Sequence, residues 1–192
     1  MQTKMREWFL KHARGPYAEF WLSAISFAES SFFPIPPDPF LIAILLANSS
    51  SWFRHAFFVS LSSVVGGAFG YMIGGFFFDM VGVKIIAAYS LEGEMVRIQM
   101  LFSENAFWAI FLAAFTPIPY KLFTISAGFF GIYFLTFIVA SILGRASRFF
   151  IVAYLVKRFG KKIGDVVFKY FNLFSLLFGL YVVLVVLSLK FF

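Results

Sequence analysis

The strongest constraint on what this chain can fold into is an apolar phrase cut twice in the same way. Pro34-Ile35-Pro36 interrupts one long apolar run, and Pro117-Ile118-Pro119 interrupts another. Proline lacks the amide hydrogen that a helix interior needs, and its ring clashes with the preceding turn. Each run therefore becomes two arms, over residues 17–33 and 38–48 in the first copy and 105–116 and 120–131 in the second. At a rise of ~1.5 Å per residue, no arm crosses a hydrocarbon core of ~30 Å. Non-helical backbone at such depth is tolerated only where it is buried in protein or lines a wet cavity. The spacing predicts two re-entrant hairpins.

A chain of 192 residues that is 61% hydrophobic and 13% charged, with 31 phenylalanines, falls well below the ~25% charge of a soluble domain. It reads as one all-α integral membrane domain. Residues 1–16 are basic and aromatic and predict an interfacial helix. Residues 17–78 form repeat 1, a hairpin followed by a crossing over 55–78. Residues 79–104 are a polar, amphipathic connector, and residues 105–158 form repeat 2 with its crossing over 132–156. Residues 170–190 are a C-terminal crossing. The N-terminus lacks the order of a signal peptide, so it is expected to be retained. A net charge of +7 in so apolar a chain sets topology and attracts anionic lipid rather than nucleic acid. The chain has no cysteine and two histidines, His12 and His55. It shows no H-E-x-x-H or G-x-S-x-G pattern, so no catalytic residue, metal site or cofactor is expected.

The positive-inside rule places the N-terminus and the basic 157–169 segment in the cytoplasm and 79–104 outside. The two halves then have opposite orientations and form an inverted repeat. Their prolines align at an offset of 83, which carries Pro34, Phe40 and Ile42 onto Pro117, Phe123 and Ile125, and Tyr71 onto Tyr154. Paired broken helices in the two halves of an inverted repeat mark a transport site.

Five charged residues lie at or near these breaks: Glu29 and Asp38 in the first copy, Lys121 in the second, and Arg145 and Arg148 inside the 132–156 crossing. A charge at bilayer depth costs ~2.5–3.5 kcal/mol on insertion scales, so each needs a reason to be retained. One reading is a protonatable carboxylate pair facing cations that hold an anionic substrate, since guanidinium forks match phosphate. The structural alternatives are an N-cap role for Asp38, a hydrogen bond across the break for Glu29, snorkelling for Lys121 and packing ion pairs for the arginines. At the prolines' offset, Lys121 is the counterpart of Asp38. Gly66, Gly70 and Gly74 recur every four residues and predict close helix packing.

At these residues the chain resembles the DedA family, also called the VTT-domain or SNARE-associated Golgi protein family. The carrying patterns are Glu29-Ser30-Ser31-Phe32-Phe33-Pro34-Ile35-Pro36-Pro37-Asp38 and Phe115-Thr116-Pro117-Ile118-Pro119 with the closing Ala127-Gly128. Gly66–Gly75 and Gly144–Arg148 are similar to a YqaA-like branch. The family carries arginines three residues before and after the second-hairpin proline, where this chain has Ala114 and Tyr120 beside Lys121. The resemblance implies facing re-entrant hairpins and a flippase- or scramblase-like lipid transporter of the bacterial inner membrane. The implied cargo is an anionic phospholipid or a polyprenyl phosphate such as undecaprenyl phosphate, and the protonatable carboxylates make proton coupling one option. Competing expectations are a small-ion or small-solute carrier, a non-transporting scaffold and, least, a membrane-embedded lipid phosphatase. A homo-oligomer is compatible with all of them.

Overall fold

A computed structural model describes Gly15 and residues 17–33, 35–89, 92–116 and 118–160. Pro34 and Pro117, the expected interfacial helix up to Arg14 and the expected crossing over 170–190 lie outside the described residues.

Among the described residues the regular structure is entirely helical. The order is α1 Ala18–Ser31, α2 Asp38–Ala47, α3 Trp52–Phe77, a π-helical turn Phe78–Gly82, α4 Val83–Tyr89, α5 Glu92–Glu104, α6 Ala106–Phe115, α7 Tyr120–Phe129 and α8 Phe134–Phe159. The four arms flanking the proline breaks are α1, α2, α6 and α7. At ten to fourteen residues they reach only ~15–21 Å. Among the described residues two helical stretches are long and apolar enough to cross a membrane, Trp52–Ala88 and Phe134–Phe159. The first does not stop at 78: with no proline there, the helix runs on through the π turn. Between α7 and α8 the chain turns at Gly131, whose φ of 62° favours glycine. The Ile132 amide closes α7 by donating to the Ala127 carbonyl at 2.9 Å.

The two long helices run antiparallel. Trp52, at the start of α3, meets Phe150 and Tyr154 near the end of α8. Tyr71, late in α3, meets Phe134 and Phe137 at the start of α8. One apolar cluster fills the first end, with Leu22, Phe40–Leu45, Val59, Phe149, Ala153 and Val156. A second fills the other end, with Ile110, Ala114, Tyr120, Ala127, Phe137 and Ala140. The first hairpin thus packs at one end of the α3–α8 pair and the second at the opposite end, and their breaks meet between. Large apolar side chains such as Phe76, Trp108 and Leu135 stay exposed on the outer face, as a lipid-facing surface requires.

Close packing comes from small residues. A Cβ on Gly66 would overlap the Phe27 backbone of α1, and one on Gly74 would overlap the Ile125 carbonyl of α7. Gly70 lies between the two, against Thr124 and the Ser30 carbonyl. The α3 stripe therefore packs its own hairpin and the other half's at once. Gly144 brings α8 close to α6 alone, with a Cβ there only 2.5 Å from the Ala114 methyl.

The matching elements correct the alignment of the copies. Both ends of α2 and α7, and both ends of α3 and α8, differ by 82 residues rather than 83. The cause is the breaks. Asp38 comes four residues after its proline, and Tyr120 three after Pro117. One residue turns a helix by about 100°. The counterpart of Asp38 is therefore Tyr120, and Lys121 points to a different side of α7.

Candidate functional site

Between the two apolar clusters lies a polar layer built on α8. Arg145 and Arg148 are one turn apart on the same face. Arg148 uses all three of its nitrogens. Nε and Nη2 donate to the two Asp38 oxygens at 3.3 and 2.8 Å, and Nη1 donates to the Thr116 carbonyl. This one guanidinium joins the helix start after the first break to the chain entering the second. Two consequences follow. The breaks lie together in the middle of the molecule, and Asp38 does not cap its helix: it is the first residue of α2 and makes no side-chain cap bond.

Arg145 is the largest fully buried side chain among the described residues. Its Nη2 donates to Glu29 Oε2 at 2.8 Å and to Ser30 Oγ at 3.4 Å. Ser30 in turn bonds Glu29 at 3.2 Å and Ser63 Oγ of α3 at 2.7 Å. The guanidinium carbon lies 4.1 Å from the centre of the Tyr120 ring and 5.7 Å from that of Phe149. Cation–π contacts of this kind strengthen when desolvated. Two buried polar atoms in this stack, Arg145 Nε and the Tyr120 hydroxyl, have no partner among the described residues. Thr124 of α7 bonds the Ser30 carbonyl at 3.2 Å, a further link between the hairpins.

Four of the five charged residues singled out from sequence are thus paired, Glu29 with Arg145 and Asp38 with Arg148. Lys121 is half-buried and joins no ion pair among the described residues. Pro36 and Pro119 lie in the breaks, and Pro119 immediately precedes α7. Ser30, Ser63, Thr124 and Tyr120 were not singled out. For the serines the missed signal was hydroxyls spaced along helices that are otherwise apolar. For Tyr120 it was the helical register. Among the described residues no group of three metal-ligating side chains forms.

A family model for the VTT domain matches residues 33–158. The chain belongs to the VTT-domain, or DedA, family. The match spans α2 through nearly all of α8 and so includes both arginines, Asp38 and the second break. A VTT-domain assignment also accords with the two candidate spans and the exposed apolar face: this is a membrane protein. An uncharacterized protein of Haemophilus influenzae is 37% identical over 162 residues, covering 84% of this chain and 82% of that protein. An uncharacterized protein of Histophilus somni is 33% identical over 162 residues, with the same shares of each chain. No solved structure matches the chain.

Proposed function

We propose that this VTT-domain protein moves an anionic lipid, a phospholipid or a polyprenyl phosphate such as undecaprenyl phosphate, across the bacterial inner membrane. The observation that carries the reading is the layer of two opposite ion pairs where the two proline breaks meet. The headgroup occupies the polar layer while its tail stays in the bilayer. The hairpins at opposite ends of the antiparallel α3–α8 pair support an inverted repeat, with the N-terminus in the cytoplasm by the charge rule.

The pairs are not equivalent, and this suggests how they divide the work. Arg148 is saturated by Asp38 and Thr116 and acts as a clamp between the breaks. Arg145 is held by one carboxylate oxygen and keeps a donor unused, so it is the cation that exchanges partners. A proton on Glu29 removes the opposing charge and releases Arg145 to the lipid phosphate. The site is neutral with both pairs closed, so one proton would accompany each negative charge admitted.

The test is transport in proteoliposomes, followed by the accessibility of a lipid phosphate to an impermeant reagent across a pH series. Glu29→Gln is expected to abolish the pH dependence, and Arg145→Ala to abolish transport. Unchanged transport in both variants overturns the mechanism. Phosphate release from the lipid by purified protein would make it an enzyme instead.

A further inference from the structure

The Tyr120 hydroxyl and Arg145 Nε are an unusual combination in a layer where most polar groups are matched. Tyr120 and Arg145 are almost fully buried, the former at 0% and the latter at 2% exposure. Leaving a buried donor unpaired costs about 1–3 kcal/mol, more for a charged group. Neither residue lacks polar neighbours. Ser141, whose own hydrogen goes to the Phe137 carbonyl at 2.6 Å, is near enough to interact with the Tyr120 hydroxyl but makes no hydrogen bond of good geometry with it, and Glu29 meets Arg145 at Nη2. The hydroxyl is accommodated because α3 has a glycine there: a Cβ on Gly67 would stand 2.8 Å from it. The chain thus provides room for a phenol oxygen, stacks that ring on the guanidinium, and leaves a hydrogen on each without a well-placed partner among the described residues.

We propose that Tyr120 Oη–H and Arg145 Nε–H together bind an anionic oxygen of the transported phosphate. The Tyr120 ring meanwhile keeps the guanidinium in place when Glu29 lets go. Arg145 Nε can only donate, and the Tyr120 hydroxyl has its hydrogen to give, so the group they hold together is an acceptor, which an ionised phosphate oxygen is. A cation has nothing to offer the pair. This rests on the transport reading and deepens it by assigning the phosphate contact to two atoms, one of them on the second hairpin.

Tyr120→Phe separates the two roles, since it removes the hydroxyl and retains the ring. Wild type, Tyr120→Phe and Arg145→Ala are purified in dodecyl maltoside, a detergent without phosphate, and titrated with undecaprenyl phosphate, with thermal midpoints measured alongside. The expected result is saturable binding by wild type, weakened at least about tenfold in Tyr120→Phe, the worth of one hydrogen bond to a charged oxygen. The thermal midpoint of that variant is expected to be unchanged or higher, because an unpaired buried hydroxyl has been removed. Wild-type affinity in Tyr120→Phe with binding lost in Arg145→Ala overturns this inference and leaves the transport reading standing. A lowered midpoint in Tyr120→Phe also overturns it, since the hydroxyl is then structural. No binding by wild type overturns both. Titration with inorganic phosphate forms a separate arm: tyrosine-dependent binding of the free ion alone retains the two-atom site and changes the cargo from a lipid to a solute.

Discussion

The spans α3 and α8 occupy equivalent places in the two halves and present different chemistry to the centre. Where α8 carries Arg145, Arg148, Val152 and Val156, α3 carries Ser63, Gly66, Gly70 and Gly74 at the matching registers. The glycines bring backbones into contact and weld α3 to both hairpins. The arginines hold charge and bridge the breaks through their side chains. A single position cannot do both, because a guanidinium fills the space that a glycine removes. An arrangement in which one long helix packs and the other carries charge needs only one set of buried cations to serve both breaks.

The sharpest way to break this comparison is to remove the clamp. Arg148→Ala strands Asp38 and frees the Thr116 carbonyl, and is expected to cost about 3–5 kcal/mol. The check is unfolding in detergent followed by helicity. The double variant Asp38→Asn with Arg148→Gln should recover part of that loss, and no recovery would mean that the arginine acts through Thr116 alone.

The packing side is tested by two adjacent glycines. Gly74→Ala drives a methyl into the Ile125 carbonyl and is expected to cost up to about 3 kcal/mol. A Cβ on Gly75 meets nothing closer than 3.8 Å, so Gly75→Ala should be neutral or stabilising by up to about 1 kcal/mol. Thermal midpoints that move together for the two would contradict the packing role of the stripe.

Smaller effects distinguish the polar layer from the surface. Ser30→Ala removes one shared hydroxyl between Glu29, Arg145 and Ser63, for a loss of about 1 kcal/mol. Its effect should be non-additive with Ser63→Ala, since both delete the same bond. Arg54 pairs with Glu19 at 2.8 Å, but its side chain is 67% exposed. Arg54→Ala should therefore cost under about 1 kcal/mol, against several for Arg148→Ala in the same assay.

Much of this arrangement was legible in the chain. Proline inside apolar runs specified the broken arms, because the rule is local and covalent. Charges within apolar segments marked Glu29, Asp38, Arg145 and Arg148, because burying an unpaired ion is too costly to be casual. The pairing was less legible. Proline alignment put Lys121 opposite Asp38, and a one-residue difference in linker length moved that place to Tyr120. The same shift separates Tyr71, which bonds the Ile132 carbonyl at 2.6 Å, from the exposed Tyr154.

By itself the sequence determined the membrane-embedded, all-helical class, the number of breaks and the identity of the buried charges, since these follow from side-chain chemistry and chain-local sterics. Only the tertiary structure decided which cation meets which anion, that Arg148 also holds the Thr116 carbonyl, and that Tyr120 lies beneath Arg145. Those outcomes depend on helical phase and on backbone contacts between segments as far apart as Glu29 and Arg145. A sequence carries no mark for a carbonyl acceptor, and phase is set by linker lengths that leave the apolar pattern unchanged.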